Sequence, residues 1–528
     1  MSESSNGRSA IVVGSGILIS RVLGLLRTTF FAHYFGSTAA GDAFNVASRI
    51  PNAIRNLLGE GTLSAAFVPA YSRLLLREDA AASRALAAAV LGILMGAVAV
   101  LTIAGIAFAP VLTDLAALGW DAEQRALTTR LTRVLFPMTG LMVLSGWCLG
   151  VQNSHRRFFW SYASAALWSL AQILLLWGWG GHATDRTQLA WWLSWATLLG
   201  AVLQVGVQLP EVFRLVGPLR PTLDRAAEGV RPVLRHVIPV VTALGVVQIS
   251  SFIDMEIATF LPNGAPSNLN YANLLVLLPV QIFGVSVAAS SLPDLSRDSG
   301  AMQIEALLER LRSGWQRILF YIVPSAVVLV AFGNYCVGIV YRTGAFGAAE
   351  QAVVHAVLAA FAVGLVSFGS VKLLASVFYA MQDYRTPLRA SVASVVISAV
   401  ASIAFVIPLR SSVYGTAAIA LGTALGSYVN LSILVRGLHR RLGPLYTTTM
   451  WLGTRRIVLA SVLATAIAFA VRAVVVVQWP MVHPRITGPP ILVTFGAVYL
   501  VSAWWMGSAE AARWLRQPVR AHAGPSTR

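Results

Sequence analysis

The sequence is poor in charge, in cysteine and in lysine. Of its 528 residues, 11% are Asp, Glu, Lys or Arg, whereas a soluble domain carries roughly 25%. The two cysteines, Cys148 and Cys336, both lie inside apolar runs, so no disulfide framework is predicted. The sequence contains no GxxxxGK[ST] loop and no His, Cys and Asp cluster with metal-ligand spacing. These absences argue against a soluble protein, against ATP binding by that loop and against metal-dependent catalysis.

What the sequence does contain is apolar residues, at 57% of the chain and a mean hydropathy of +0.71. Apolar runs near the ~20 residues that cross a bilayer recur throughout. We therefore predict an all-α polytopic membrane protein with about fourteen transmembrane helices, the first of which is not a removed signal peptide. The predicted segments lie near 10–33, 42–72, 86–110, 131–152, 158–180, 188–210, 236–261, 268–294, 315–341, 352–381, 387–409, 413–436, 454–478 and 488–508.

The net charge of +18 comes almost entirely from arginine, and Lys372 is the only lysine. Arginines are concentrated in alternate connections between the predicted helices, which is the positive-inside pattern. Arg125 with Arg130 is the one pair that fits this pattern badly. We predict that both termini are cytoplasmic, in the bacterial inner membrane, and that the chain does not bind nucleic acid. The arginine-rich connections are 73–84, 156–157, 214–235, 297–312, 385 and 440–441.

A faint internal repeat divides the chain. "AAFVPAYSR" (65–73) resembles "ASSLPDLSR" (289–297), and "LGVQNSHRRF" (149–158) corresponds to "FYAMQDYRTP" (378–387), with Gln152 matched to Gln382. Two six-helix units facing the same way are a transporter design, with the substrate site between the halves. The predicted organisation is an N-terminal lobe at 1–215, a basic cytoplasmic linker at 216–235, a C-terminal lobe at 236–440, two extra helices at 441–510 and a basic tail at 511–528.

Polar residues form a stripe along the predicted second helix. The helical period of 100° per residue places Asp42, Asn45, Arg49, Asn52, Asn56 and Glu60 on one face. Arg55 points about a third of a turn away, and Pro51 is expected to kink the helix. The first helix adds Arg21 and Arg27. Each charge at membrane depth costs on the order of 2.5–3.5 kcal/mol, so these groups form either a buried ion-pair network or the wall of a hydrated cavity.

Two later helices carry weaker polar stripes. Gln248, Ser251 and Asp254 share a sector of the seventh helix, and Lys372, Ser376, Tyr379 and Asp383 follow one another along the tenth. We consider Asp254, Lys372, Tyr379 and Asp383 as candidates for coupling or gating, with a packing role for Lys372 as the alternative. Because cations outnumber anions in the first-half stripes, the cavity is expected to take an anionic, phosphate-bearing substrate.

At this point the sequence resembles the MurJ (MviN) lipid II flippases of the MOP exporter superfamily. The resemblance is carried first by "SRVLGLLRTTFFAHYFGSTAAGDAFNVASRIPNAIRNLLGEGTLSAAFVPAYS" (20–72). It continues with "QISSFIDMEIATFLP" (248–262), "LPVQIFGVSVAASSLPDLSR" (278–297) and "VKLLASVFYAMQDYRTP" (371–387). The resemblance implies two six-helix lobes with two extra C-terminal helices. It also implies movement of an undecaprenyl-pyrophosphate-linked peptidoglycan precursor between leaflets, by alternating access driven by membrane potential or a monovalent cation, with no other cofactor.

Carried over by motif position, the resemblance assigns substrate binding to Arg21, Arg27, Asp42, Asn52, Arg55 and Glu60. Membrane lipids are the expected surroundings, with the cell-wall synthesis machinery as a candidate partner. We expect Asp42 and Glu60 to pair with the arginines when no substrate is bound, and the two extra helices to line a groove for the lipid tail.

The sequence departs from the family pattern at two places. Asn56 stands where a second basic residue usually follows the one matching Arg55, and Asn273 and Leu274 replace an Asp-Arg pair. Losing that arginine weakens the positive field for a pyrophosphate, which leaves other readings open. They are an exporter of another lipid-linked oligosaccharide, a transport-inactive membrane scaffold, and a membrane glycosyl or prenyl transferase, the last disfavoured because no Asp-rich motif is present.

Overall fold

The computed structural model describes residues 3–183, 185–285, 287, 304–478 and 482–516. Throughout these residues the chain is helical, and an isolated bridge between Thr343 and Phe346 is the only β-type pairing they contain. The all-α prediction is therefore confirmed. The chain divides into two compact units, of which unit 1 comprises Met1–Ser267 with Thr343–Phe346, and unit 2 comprises Asn268–Arg342 with Gly347–Arg528.

Unit 1 is built from nine helices in its described part, together with the first turn of a tenth. They are α1 (Glu3–Phe35), α2 (Ala39–Leu58), α3 (Glu60–Leu76), α4 (Ala80–Ala107), α5 (Ala109–Ala116), α6 (Ala122–Ser154), α7 (Phe158–Trp179), α8 (Arg186–Val216) and α9 (Val230–Thr259). Large side chains such as Phe67, Tyr71 and Trp147 are buried where α3, α4 and α6 pack. Since α9 packs on α3 and α2, it belongs to unit 1, whereas the sequence groups this helix with the second lobe. The lobe boundaries stay a prediction.

Unit 2 holds the remaining helices. They are α10 (Ala265–Pro279, whose first turn is in unit 1), a π-helical segment (Val280–Val285), α11 (Ile304–Ala331), α12 (Gly333–Tyr341), α13 (Ala348–Val363), α14 (Leu365–Ala380), α15 (Arg385–Val406), a 3₁₀ turn (Ile407–Leu409), α16 (Gly415–Leu442), α17 (Thr448–Gln478), α18 (Pro484–Trp505) and α19 (Ala509–Arg516). The segment "ASSLPDLSR" (289–297), one half of a predicted repeat, lies outside the described residues.

Among the described residues, eight helices are long and apolar enough to cross a membrane. A ninth span is added if α13 and α14, bent by 41° at Gly364, count as one broken crossing. The bend lies where α16 approaches closely, because a Cβ on Gly364 would be 2.9 Å from Ala424. Each predicted segment contains a helix, and the count of fourteen crossings stays a prediction.

The polar second segment is two helices rather than one. Gly59 separates α2 from α3 with φ −87° and ψ −130°, values outside the helical region. A Cβ at this position would lie 2.5 Å from the carbonyl oxygen of Arg55, so the break requires glycine. The predicted continuous helix over 42–72 is therefore wrong. Glu60 begins a new helix and does not extend the stripe that runs through Asn52 to Asn56.

The internal repeat is visible in the turns that end helices. After α6 and after α14, one residue adopts a left-handed conformation, Arg156 with φ 59° and Gln382 with φ 58°. The next residue then donates its N–H to the carbonyl oxygen five positions back, Arg157 at 2.9 Å and Asp383 at 2.8 Å. This is the Schellman arrangement, in which orphan carbonyls at a helix end are satisfied. The two turns are 226 residues apart.

A second pair of helix ends repeats at the same distance. Gly217 after α8 and Gly443 after α16, again 226 residues apart, have φ 82° and 95°. Each donates its N–H to the carbonyl oxygen four residues back, at 2.9 and 3.1 Å. The repeat is supported by these turns, but its predicted register is wrong. Gln382 corresponds to Arg156 and not to Gln152, because position in the turn decides the match.

Each repeated turn also carries an ion pair, with the charges exchanged. In unit 1, the Arg157 side chain on the turn approaches Glu211 of α8, with Nε and Oε1 3.9 Å apart. In unit 2, the turn supplies the acid instead, and Asp383 Oδ2 lies 2.6 Å from Arg441 Nη2 of α16. The two helix partners occupy stations one turn apart in the repeat. Both pairs link the turn to the helix that ends its unit's repeat.

Candidate functional site

Two predicted arginines meet on one tryptophan inside unit 1. The guanidinium carbon of Arg27, from α1, lies 4.6 Å from the ring centroid of Trp168 in α7. Arg55, from the last turn of α2, lies 5.7 Å from the same centroid. Both distances fall within the range of cation–π attraction. Arg27 and Arg55 are thus brought together as the sequence predicts, although they come from different helices.

The other predicted residues near them are placed differently. Arg21 is exposed on α1, six residues before Arg27 and therefore about 9 Å away along the helix axis. Asn52 is half-buried on α2, one helical turn before Asn56. Only the backbone of Glu60 is described, so its predicted pairing with an arginine stays a prediction.

Asp42 is a helix cap in this structure. Its buried carboxylate accepts hydrogen bonds from the backbone N–H of Gly264 at 2.5 Å, from the N–H of Ser267 at 2.9 Å and from the Ser267 hydroxyl at 2.6 Å. Asn45 donates to the same hydroxyl at 3.0 Å. These contacts satisfy the first N–H groups of α10 and complement the positive end of its dipole. Its carboxylate therefore faces a helix terminus where the sequence predicts an arginine partner, and a substrate contact stays a prediction.

An arginine that was part of the stripe, but not among the predicted site residues, connects α2 to α9. Arg49 donates from Nη2 to the backbone carbonyl of Ser251 at 3.1 Å, and the carboxylate of Asp254 acts on it electrostatically. Arg49 is mostly buried, so this attraction is not screened by solvent. Asp254, predicted as a coupling or gating residue, is therefore a neighbour of the polar α2 stripe.

The predicted stripe on the tenth helix ends early. Lys372 and Tyr379 are exposed on α14, but the helix stops at Ala380 and Asp383 lies in the following turn. There its carboxylate accepts from the N–H groups of Arg385 at 3.0 Å and Thr386 at 3.1 Å, and from the Thr386 hydroxyl at 2.6 Å. Asp383 therefore caps α15, and the single stripe joining it to Lys372 is wrong.

The charge state of Asp383 follows from these contacts. Burial raises the pKa of its carboxyl, but the hydrogen bonds from Thr386 and Arg385, together with the Arg441 guanidinium, outweigh this effect. The pKa therefore lies below its ordinary value, and the group is ionised at neutral pH. An ionised, capped and ion-paired carboxylate holds the turn between α14 and α15 to α16.

An apolar cavity of about 630 Å³ lies inside unit 2. It is lined by α10, the π-helical segment, α11, α12 and α18, with Trp514 of α19 at one side. Phe283 stacks on Tyr321 with ring centroids 4.4 Å apart, and the Trp514 indole donates to the Tyr321 hydroxyl at 2.9 Å. Of the two extra helices predicted to line a tail groove, α18 contributes to this wall, and α17 does not.

Two of the observations also account for departures from the sequence patterns. Arg125 lies 3.5 Å from Asp114, and Arg130 lies over the Trp191 ring at 5.3 Å, so the arginine pair that fits badly has local partners. Asn273 and Leu274 are half-buried on α10. Within the described residues, no group of three or more His, Cys, Asp or Glu side chains is placed to hold a metal ion.

The residue that sequence reasoning missed is Trp168. Its signal was a polar stripe on α7, since Ser164, Trp168 and Gln172 follow one another at intervals of four residues. Ser164 accepts a hydrogen bond from Gln208 at 2.5 Å, and Gln172 donates to the Trp168 carbonyl at 3.3 Å. A helix with this face packs its polar side inward, which marks the tryptophan as a candidate neighbour for buried charge.

Comparison with known proteins gives a consistent picture. The profile of the family described as "Lipid II flippase MurJ" matches residues 31–487. The chain is 33% identical over 446 residues to the lipid II flippase MurJ of Burkholderia cenocepacia, covering 82% of this chain and 84% of that protein. It is 31% identical over 434 residues to the probable lipid II flippase MurJ of Rhizobium tropici, covering 82% and 80%.

Solved structures show the same fold. A lipid II flippase MurJ in an inward closed conformation superposes with a TM-score of 0.78 at 21% identity, over 96% of this chain and all of the other. An inward-facing multidrug resistance MATE family transporter of the MOP superfamily superposes with a TM-score of 0.65 at 17% identity, over 83% of this chain and 99% of the other.

Proposed function

Since the chain belongs to the lipid II flippase MurJ family, we propose that it moves lipid II from the inner to the outer leaflet of the bacterial cytoplasmic membrane. The family transports its substrate rather than transforming it, which confirms the prediction that the chain is not an enzyme. The multi-pass membrane character is confirmed as well. Alternating access is the proposed mechanism, with both termini in the cytoplasm.

The observation that carries the proposal is the meeting of Arg27 and Arg55 on one ring. Two cations inside a membrane protein cost on the order of 2.5–3.5 kcal/mol each unless something compensates them. A diphosphate matches a pair of guanidinium forks, because each fork donates two parallel hydrogen bonds to phosphate oxygens. We assign these two arginines to the diphosphate of the substrate, and Arg21, exposed one and a half turns away, to its entry.

The apolar cavity of unit 2 supports a place for part of the polyprenyl tail. Its walls are almost wholly aliphatic and aromatic, and the polar groups at its edge, Tyr321 and Tyr499, bond to Trp514 and to the Phe320 carbonyl. Burial of a tail in such a site is worth about 0.8 kcal/mol per CH₂ group. Tail binding therefore gives affinity, while the arginines give selectivity for the headgroup.

Energy coupling and partners belong to the same proposal. Moving one charge through 100 mV is worth about 2.3 kcal/mol, which is enough to bias a transporter that carries an anionic lipid. A monovalent cation is the alternative driving force, with Asp254 as the candidate carboxylate. The cell-wall synthesis machinery is the proposed consumer of the flipped precursor.

A second candidate substrate is another lipid-linked oligosaccharide. The observation that favours it is the pair Asn273 and Leu274 on α10, where the family typically has Asp-Arg. Without that arginine, binding depends more heavily on Arg27 and Arg55. A transport-inactive scaffold is a third reading, and it differs because it needs neither arginine.

The proposal is tested by depleting the host's own lipid II flippase and supplying this chain in trans. We expect wild-type protein to restore growth, and Arg27→Ala and Arg55→Ala each to abolish it at equal amounts in the membrane. Arg130→Ala is the matched control, since Arg130 also lies over a tryptophan, and it should restore growth. Well-expressed wild type that fails removes lipid II as the substrate. Restoration by Arg55→Ala favours the scaffold instead.

A further inference from the structure

Trp168 holds its position through contacts that do not involve the arginines. Its side chain packs against the buried cluster of Met138, Met142 and Ala201, which α6 and α8 supply. Gly200 lets α8 approach the backbone of α7 at this point, because a Cβ there would be 2.9 Å from the Trp168 Cα. The indole is thus fixed by apolar packing, independently of the charges beside it.

The arginines lack such anchoring of their own. Since both guanidinium carbons lie near one centroid, they are at most about 10 Å apart, and at that distance two like charges repel appreciably in a protein interior. The electron-rich face of tryptophan offers the strongest cation–π attraction of the aromatic side chains. The ring therefore offsets a repulsion that would otherwise drive Arg27 and Arg55 apart before substrate arrives.

One further feature of Trp168 is an unused donor. Its indole Nε1 is buried and finds no hydrogen-bond acceptor in the described part of the chain. Leaving a buried donor unsatisfied costs free energy, which an incoming phosphate oxygen would recover. The state shown is therefore one that an anion completes.

We propose that Trp168 is a positioning residue that holds Arg27 and Arg55 together as a two-pronged receptor for the substrate diphosphate. This inference rests on the proposed function, and it names the part of unit 1 that gives the site its shape. Selectivity for diphosphate over monophosphate follows, because only a diphosphate offers oxygen atoms to both guanidinium groups at once. Trp168 does not touch the lipid tail and does not set the sugar or peptide recognised.

The test measures binding of undecaprenyl diphosphate and undecaprenyl monophosphate to the full chain in nanodiscs, by native mass spectrometry. We expect Trp168→Leu to weaken diphosphate binding about tenfold, and Trp168→Phe to weaken it about threefold because a weaker ring remains. Monophosphate binding should change by less than about twofold in both. Trp191→Leu is the matched control, since it removes a tryptophan under Arg130 in the same unit, and it should bind like wild type.

A cycle separates positioning from a structural role. In an Arg27→Ala, Arg55→Ala background, Trp168→Leu should weaken diphosphate binding no further, because its effect acts through those arginines. An equal loss in both backgrounds, or unchanged affinity in a folded Trp168→Leu protein, overturns the inference. If wild type binds neither lipid, the proposed function fails and the inference falls with it. If wild type binds diphosphate and Trp168→Leu matches it, only the inference fails.

Discussion

Removing the carboxylate of Asp383 should destabilise unit 2 by two separable amounts. Asp383 caps α15 through Arg385 and Thr386 and also pairs with Arg441 at 2.6 Å. Substituting a capping side chain by alanine typically costs about 1 kcal/mol. The Arg441 side chain is 47% exposed and that of Asp383 is 13% exposed, so the pair is partly screened and contributes about 0.5–1 kcal/mol.

Asparagine and alanine at this position therefore give different losses. Asp383→Asn keeps a good cap and loses only the pair, for about 0.5–1 kcal/mol. Asp383→Ala loses both, for about 1.5–2 kcal/mol. The chain provides a control in Asp185, an exposed cap of α8 that accepts from the Thr187 N–H at 2.8 Å and has no ion-pair partner among the described residues. Asp185→Ala should cost about 1 kcal/mol.

The assay is reversible denaturant unfolding in mixed micelles, with the three variants and wild type side by side. We expect the loss to be largest for Asp383→Ala, and the Asp383→Asn loss to shrink in high salt, while the Asp185→Ala loss stays nearly constant. Equal losses for the two alanine variants, together with a neutral Asp383→Asn, would show that the Arg441 contact contributes nothing and would refute the reasoning.

Three further predictions concern charge, space and pH. Arg49→Met removes the cation beside Asp254 and should cost about 3 kcal/mol in the same unfolding assay, with partial recovery on adding Asp254→Asn; additive losses would contradict the link. Gly496→Phe should fill the apolar cavity and slow transport in proteoliposomes, whereas Gly206→Phe, also facing open space, should not. The pKa of Asp383 is lowered on folding, so its stabilisation is complete above the unfolded value of about 3.9 and is lost as pH falls through the folded pKa. The stability difference between wild type and Asp383→Asn should therefore be constant from about pH 8 to 5 and shrink below about pH 4.

The sequence predicted helices well and their interruptions poorly. Apolar runs of membrane length locate each helix, since burial in lipid demands them regardless of neighbours. The break at Gly59 was missed because a glycine in a helical pattern is common, and only its ψ reveals the turn. The bend at Gly364 depends on how closely Ala424 approaches, which is a property of packing and not of either segment.

The candidate site was predicted in part for a similar reason. Arg27 and Arg55 were identified because charge in an apolar helix is conspicuous, and the family resemblance gave them a role. Their meeting on Trp168 depends on three helices distant in sequence, so periodicity within any one of them is silent about it. Asp42 was expected beside an arginine, but a carboxylate next to a helix start binds the free N–H groups there first.

The reversed polarity of the two turn clasps bears on how the halves diverged. Arg157 faces an acid on α8, while Asp383 faces a base on α16. Grafting the first turn into the second position would set one guanidinium against another, so the tandem copies are no longer interchangeable parts. Any ancestral gene duplication must since have passed through paired changes of sign, and chimaeras that swap a turn without its helix partner should fold badly.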